Sequence, residues 1–336
     1  MIIYDLSHRA SLMDFGIKIP IMDEKVIKTI EYLKSHPVIG SHFDSLSKSS
    51  VTETITKEDL LTTHSEEYVS KLLSDGVEKE IMAAYELIDD LGNYNRYDPA
   101  KALFPLSRLM ENELKKAAGT LECCKTALDT GFCFYLGGGS HHAQKDFGAG
   151  FCVLNDVVLS LRILQHKGKI RNAWVIDVDA HKGDGTSALT YSDPSICTLS
   201  IHMAKGWPLD REESMFPLSF IPSDIEIPIE EGEDHLYNEK LKKGLKSLSL
   251  LGSPDIALVV SGTDPYEKDA LKSSSGINLT LEQMMERDRL VYDFLKDRNI
   301  PSAYIMSGGY GKECWIVYAK FLEWVLGKSL SIYAAK

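Results

Sequence analysis

Five short apolar runs punctuate the chain: Phe132 to Leu136, Ala173 to Val178, Ile196 to Ile201, Ile256 to Ser261 and Ser302 to Met306. Runs of this length without polar alternation predict strands buried on both faces. Between them the period becomes helical. Leu114, Ala117, Leu121, Cys124 and Leu128 form one stripe across Glu111 to Thr130, and Thr280-x-x-Gln283 is a capping box opening a helix over Leu281 to Arg298. Val26, Ile27, Ile30 and Leu33 mark a further amphipathic helix after Asp23. Strand and helix therefore alternate, and the expected class is α/β: a mostly parallel β-sheet sandwiched by helices. No internal repeat or Gly/Ser/Pro-rich linker divides the 336 residues, so a single domain over 1–336 is expected. Gly92 to Pro105 and Lys205 to Ser223 read as long surface loops, of the kind that wall binding sites.

Composition narrows the function classes. Hydrophobic residues make up 44% of the chain, yet no apolar run approaches the ~20 residues of a membrane helix, so no membrane insertion is expected. The N-terminal MIIYDLSHRA lacks a basic segment followed by a long apolar stretch, which leaves a cytoplasmic location as the default. Six scattered cysteines (Cys123, Cys124, Cys133, Cys152, Cys197, Cys314) offer no CxxC zinc pattern and read mostly as small buried hydrophobes. A formal charge of −12 argues against a large basic footprint, so no direct nucleic-acid binding is expected. It tolerates a cationic substrate such as a lysine or polyamine derivative.

In an open parallel sheet, ligands bind at the carboxyl ends of the strands. The residues that follow the five runs are Gly137-Gly138-Gly139-Ser140-His141-His142, Asp179-Ala180-His181-Lys182-Gly183-Asp184-Gly185, Ser200-Ile201-His202, Ser261-Gly262-Thr263-Asp264 and Ser307-Gly308-Gly309-Tyr310. Histidines and aspartates gathered on one sheet edge would desolvate and repel one another unless a cation or proton network balanced them. Asp179 and His181, two apart on one strand end, point to the same side, and Asp264 adds a donor from a neighbouring strand. Three protein ligands and a water is the arrangement of a catalytic zinc. His8, His36, His42, His64, His166 and His235 read as structural or solvent-facing, and His202 has no evident partner.

These motifs resemble the histone deacetylase family of zinc-dependent deacylases. The matching stretches are GGGSHHA from Gly137, GAGFCVLND from Gly148, DVDAHKGDGT from Asp177, GTDPYEKDAL from Gly262 and SGGY from Ser307, with weaker matches at HSEEYV from His64 and AAGT from Ala117. The GTD and SGGY forms resemble class IV and bacterial members more than class I. The resemblance implies an arginase/deacetylase-like sheet and one Zn2+ held by Asp179, His181 and Asp264. It implies His142 as general base, His141 as its companion and Tyr310 as hydrogen-bond donor to the developing oxyanion. Asp177 and Asp184 would fix the tautomers of His141 and His142. Many class IV relatives carry Asn at the position of Asp184, so a more basic His142 is expected here. A K+ site is also implied, formed by Asp177, Ser200 and the backbone of Asp179, His181 and Ile201; a plain strand-end hydrogen bond is the other reading of Asp177 and Ser200.

Gly150 and Phe151 match one wall of the family's acyl-lysine tunnel, and the opposite wall is expected from the loop holding Trp207, Pro208 and Phe216. The family's rim aspartate has no clear counterpart among Asp89, Asp90 and Asp98. The implied substrate is an acylated lysine in a protein or peptide, with an acetyl or longer acyl group, or a small acylated amine. Glu212 and Glu213 read either as a polyamine gatekeeper or as a solvated acidic loop. Two other classes are weighed. A two-metal hydrolase of the arginase type needs carboxylates at the positions of Gly183 and Tyr266. A non-catalytic binding module would keep the pocket without the chemistry.

Overall fold

The computed structural model describes residues 1–7, 11–21, 24–89 and 91–330, which leaves His8, Asp23 and Asp90 outside the described residues. Eight strands form one parallel sheet: β1 (Ile2–Ile3), β2 (Ser47–Lys48), β3 (Phe132–Tyr135), β4 (Ala173–Asp177), β5 (Ile196–Met203), β6 (Ile225–Ile229), β7 (Ile256–Ser261) and β8 (Ser302–Met306). They lie in the order β2-β1-β3-β8-β7-β4-β5-β6. The five runs legible in the sequence are thus the five adjacent strands β3-β8-β7-β4-β5, and all their chemistry-bearing ends fall on one edge. Register holds them level: Asp177 of β4 lies opposite Ser200 of β5 and Val260 of β7.

Burial explains why these strands show no alternation. In β4, Trp174 and Ile176 belong to the core on one face, and Ala173 and Val175 to the core on the other. Both faces are covered, so both sets of side chains are apolar. The first face packs against helices Glu24–Ser35, Tyr237–Leu248, Leu281–Lys296 and Trp315–Ser329; the second packs against Leu109–Thr130 and Asp156–His166. The Thr280 capping box forms as the sequence predicts, with Gln283 N–H donating to Thr280 Oγ1 (3.3 Å) and Thr280 N–H to Gln283 Oε1 (3.0 Å). That helix stops at Lys296, two residues short of the expected Arg298. Ile27, assigned to the buried stripe of the first helix, is exposed, whereas Val26, Ile30 and Leu33 are buried.

Three strands are absent from the sequence reading. β1 and β2 are two residues each, too short for a periodic signal, and β6 is an edge strand with Pro228 inside it. Proline removes a ladder donor and is tolerated at an edge. The stretches 92–105 and 205–223 form long connections with short 3-10 turns, Pro99–Lys101 and Pro217–Phe220, and the first is pinned by isolated bridges from Tyr94 to Ile88 and from Tyr97 to Ile17. Among the described residues no helix is long and apolar enough to cross a membrane.

Candidate active site

The carboxyl end of β4 carries Asp179 and His181, and the end of β7 carries Asp264. All three are buried, and one donor atom from each lies within 4.8 Å of the others. His181 Nδ1 faces both carboxylates, 2.9 Å from Asp264 Oδ2 and 3.2 Å from Asp179 Oδ1. Burial and the neighbouring Asp179 push Asp264 up to about 7. Burial opposes charge on His181, but the two carboxylates outweigh it and raise the imidazole to about 10. The side chains therefore gather positive charge between two carboxylates, in the place where a cation would bind all three. Two carboxylate oxygens and an imidazole nitrogen suit zinc, and with three protein ligands a position stays open for substrate or water. The fit extends to the backbone. A Cβ at Gly262 would stand 2.2 Å from Asp179 Oδ2, and one at Gly308 2.4 Å from Asp264 Oδ2.

Asp179 also receives Ser307 Oγ–H (3.0 Å) and Gly308 N–H (2.9 Å), which ties the end of β8 to β4. Asp264 Oδ1 accepts from Ala180 N–H at 3.0 Å. Behind both ligand segments lies Arg287, fully buried, donating to Val178 O (3.1 Å) and Gly262 O (2.7 Å) and pairing with Asp288 (2.9 Å). It fixes the residue just before Asp179 and the strand end two residues before Asp264. Nothing in the pattern MMERDR distinguishes it from a surface arginine.

The two histidines after β3 each have their own carboxylate. His141 Nδ1 is 2.6 Å from Asp177 Oδ2, and His142 Nδ1 is 2.7 Å from Asp184 Oδ1. Their surroundings divide them. Burial opposes charge on His141, but Asp177 and Asp179 carry it up to about 9. For His142, burial and the adjacent His141 outweigh Asp184, and the imidazole falls to about 4. Asp184 does raise the imidazole, in the direction expected of a carboxylate at that position, but burial and His141 outweigh it. Asp184 is itself held by Gln144 Nε2 (3.2 Å) and Ser219 Oγ (2.9 Å). The loop that delivers both histidines hangs on Asp156, which accepts from Gly139 N–H (3.0 Å), Ser140 N–H (2.6 Å) and Thr120 Oγ1.

Tyr310 is set by its backbone. Its N–H donates to Asp269 Oδ1 (2.5 Å), as does Gly311 N–H (3.0 Å), and Lys25 holds the same loop through Ser307 O (3.0 Å) and Gly309 O (3.3 Å). Burial, with Asp264 and Asp179 nearby, keeps its phenol well above the ordinary range, so it retains its proton. Phe151 lies 6.5 Å from the Tyr310 ring, and the Trp207 ring packs edge-on at 4.4 Å from His142. A Cβ on Gly150 would meet Trp207 at 2.3 Å, so the two expected walls do come together. One cavity of about 270 Å³ takes in His141, His142, Asp179, His181, Gly150, Phe151 and Tyr310. It continues to Leu12, Ile21, Val26, Leu109 and Met306.

Other expectations fall differently. Asp177 and Ser200 are neighbours in register, but Ser200 Oγ pairs with His202 Nδ1 (3.0 Å), and Asp177 is engaged by His141 and by Asp179 N–H (3.1 Å). Both side chains thus have protein partners. Ile201 continues the same strand, in register with Ile227. His202 gains its partner from the strand the sequence reading missed: Glu226 of β6, 3.3 Å from Nε2. Gly183 and Tyr266 supply no second-metal carboxylate, and Asp179, His181 and Asp264 are the one such group found among the described residues. A Cβ at Gly183 would in fact stand 2.4 Å from Asp177 Oδ2. Glu212 and Glu213 are exposed. His64, read as structural, is a buried brace: Nδ1 pairs with Gln144 O (2.9 Å) and Nε2 accepts Asn155 N–H (3.1 Å).

Comparison with known proteins places these features in context. The sequence model described as the Histone deacetylase domain matches residues 20–322. Histone deacetylase 2 of Arabidopsis thaliana is 27% identical over 324 residues, 96% of this chain and 77% of that protein. An uncharacterized protein of Picosynechococcus is 29% identical over 205 residues, 61% of this chain, and the match spans 64% of that relative's length. The crystal structure of a histone deacetylase homologue from Aquifex aeolicus superposes with a TM-score of 0.68 at 20% identity, over 97% of this chain and 83% of the other.

Replacing Arg287 by Met leaves Asp288 buried without its partner, takes the arginine donor from Gly262 O and leaves Val178 O only Tyr237 Oη–H at 3.5 Å. Such a loss costs about 3–5 kcal/mol, which chemical denaturation should register as an earlier midpoint. His64 gives a pH signature. Its unfolded imidazole titrates near 6.5 and burial lowers the folded one to about 4. The folded form binds its proton later, so this contribution is complete above about 6.5 and is lost as the pH falls toward 4. Unfolding measured from pH 7 to pH 4.5 should show a smaller acid loss for His64→Gln than for the parent, by about 2–3 kcal/mol.

Proposed function

Because the chain belongs to the histone deacetylase family, we propose that it is a hydrolase removing an acyl group from an amine, with one zinc ion held by Asp179, His181 and Asp264. The observation that carries this reading is the pair of imidazoles beside the three-donor cluster, each bound through Nδ1 to its own carboxylate at 2.6 and 2.7 Å. When bound, zinc supplies a Lewis acid that polarises the scissile carbonyl and acidifies water.

The chain's own groups supply the rest. His142, neutral and with Nδ1 committed to Asp184, presents Nε2 as the general base that takes the proton of the attacking water and returns it to the leaving amine. His141, bound through Nδ1 to Asp177 at 2.6 Å, stands beside it and stabilises the negative charge that grows there. Tyr310 keeps its proton and donates a hydrogen bond to the oxyanion. Phe151 and Trp207 flank the approach and exclude water from the stem of the acylated amine. The substrate class is an acyl-lysine or another small acylated amine. The cavity runs on past the site to Leu12, Ile21, Val26, Leu109 and Met306, beside the charged Lys25, Glu113 and Lys116, and this volume gives room for an acyl chain longer than acetyl.

Zinc-loaded protein should therefore cleave at least one member of a panel of acetyl-lysine, myristoyl-lysine and acetylpolyamine substrates. Tyr310→Phe should lower kcat by about 10²–10³, as loss of one oxyanion donor does, and His142→Ala should lower it at least as far. No cleavage of any member, or a residual activity untouched by His142→Ala, would overturn the assignment.

A further inference from the structure

Two arginines from separate loops approach the aromatic walls of the site. Arg96 lies over the Phe151 ring at 5.8 Å, and Phe151 is itself 6.5 Å from Tyr310. Arg211 lies over Trp207 at 5.5 Å and over Phe216 at 4.5 Å, and Trp207 is 4.4 Å from His142. Each guanidinium is thus one aromatic ring away from a residue assigned to the chemistry. Glu86 stands between them, 3.3 Å from Arg96 and 3.5 Å from Arg211. The three side chains are 44%, 29% and 34% exposed for Arg96, Arg211 and Glu86 respectively, so the cluster is open to solvent and to ligand.

The backbone is strained at the same place. Glu86, Arg96 and Phe151 take positive φ values of 54°, 51° and 66°, three of the five non-glycine residues that do so among those described. Such conformations cost about 1–3 kcal/mol each and gather where a site must be held in one shape. The strain here turns two loops and one wall toward a common point.

Charge decides what the cluster can hold. Two guanidiniums face one carboxylate, through single contacts at 3.3 and 3.5 Å, and each retains further N–H donors. Of the acids weighed for the rim, the two aspartates that lie among the described residues are engaged by other groups. Asp98 pairs with Lys18 (3.4 Å) and Lys101 (3.7 Å), and Asp89 accepts from Leu91 and Asn93 N–H in its own turn. Glu212 and Glu213 are exposed and make no ion pair among the described residues. A cationic polyamine end would meet two like charges, whereas a planar carboxylate suits the guanidinium fork.

We propose that Arg96, Arg211 and Glu86 form a selectivity clasp for acylated amines whose far end is a free carboxylate, that is, side-chain-acylated diamino acids of the lysine type rather than polyamines. The turnover arm of its test rests on the deacylase reading above, and the binding arm does not. Nα,Nε-diacetyl-lysine and its C-terminal carboxamide differ only in the charge concerned. Both, with an acetylspermidine, are given to the zinc-loaded protein, and kcat/KM and the calorimetric Kd are measured for each. The acid should be preferred over the carboxamide by about tenfold, the scale of one charge-assisted contact, and the preference should shrink at high salt. Arg96→Met with Arg211→Met should bring the acid-to-carboxamide ratio near one, and the paired Lys substitutions should retain it in part. Glu86→Gln, which frees both arginines, should widen the ratio by about threefold. Equal values for acid and carboxamide, a preference that survives the double Met substitution, or acetylspermidine as the best ligand would overturn the clasp. If none is turned over, the Kd ratio alone decides the clasp, and the deacylase reading is decided by the full panel that includes the long-chain substrate.

Discussion

Two buried carboxylates, Asp179 and Asp264, hold the working edge of the sheet together. Asp179 accepts from Ser307 and Gly308 at the end of β8, Asp264 accepts from Ala180 beyond β4, and His181 lies between the two. Burying two such groups side by side is costly unless every lone pair finds a donor or a cation. That demand fixes three strand ends relative to one another. The cluster that would bind the metal is therefore also the joint that places Tyr310, since its loop leaves directly from the Ser307–Gly308 contact.

A second layer keeps that joint from relaxing. Arg287 reaches through the core to carbonyls beside both ligand segments, and Asp156 gathers the N–H groups of the loop that delivers His141 and His142. Neither touches the cavity's chemistry. Their effect is to make the donors' positions a property of the fold, which spares the site reorganisation at the moment of reaction. The same economy divides the histidines. Two identical side chains, adjacent in sequence, are pushed in opposite directions because one lies near two carboxylates and the other is buried beside its neighbouring histidine with one carboxylate.

How much of this could be read from sequence follows from where the information lies. The five central strands are legible because burial on both faces writes a continuous apolar run. The residues just past them are legible because glycines, histidines and aspartates there have few structural excuses. β6 is hidden by Pro228 and its edge position, and with it the partner of His202. Arg287 is hidden because a buried arginine on a helix looks like an exposed one until its carbonyl partners, 25 and 109 residues away, are in view. Glu86, Arg96 and Arg211 come from three points of the chain with no local pattern. Their proximity exists only after folding.

Gly183 bears on the history open to such a site. A carboxylate at that position is what a two-metal hydrolase would require, and the change from glycine to aspartate is a small one in chemical terms. Yet any side chain there starts 2.4 Å from the Asp177 oxygen that steadies His141. A step toward the second metal would thus first displace the Asp177 carboxylate on which His141 rests.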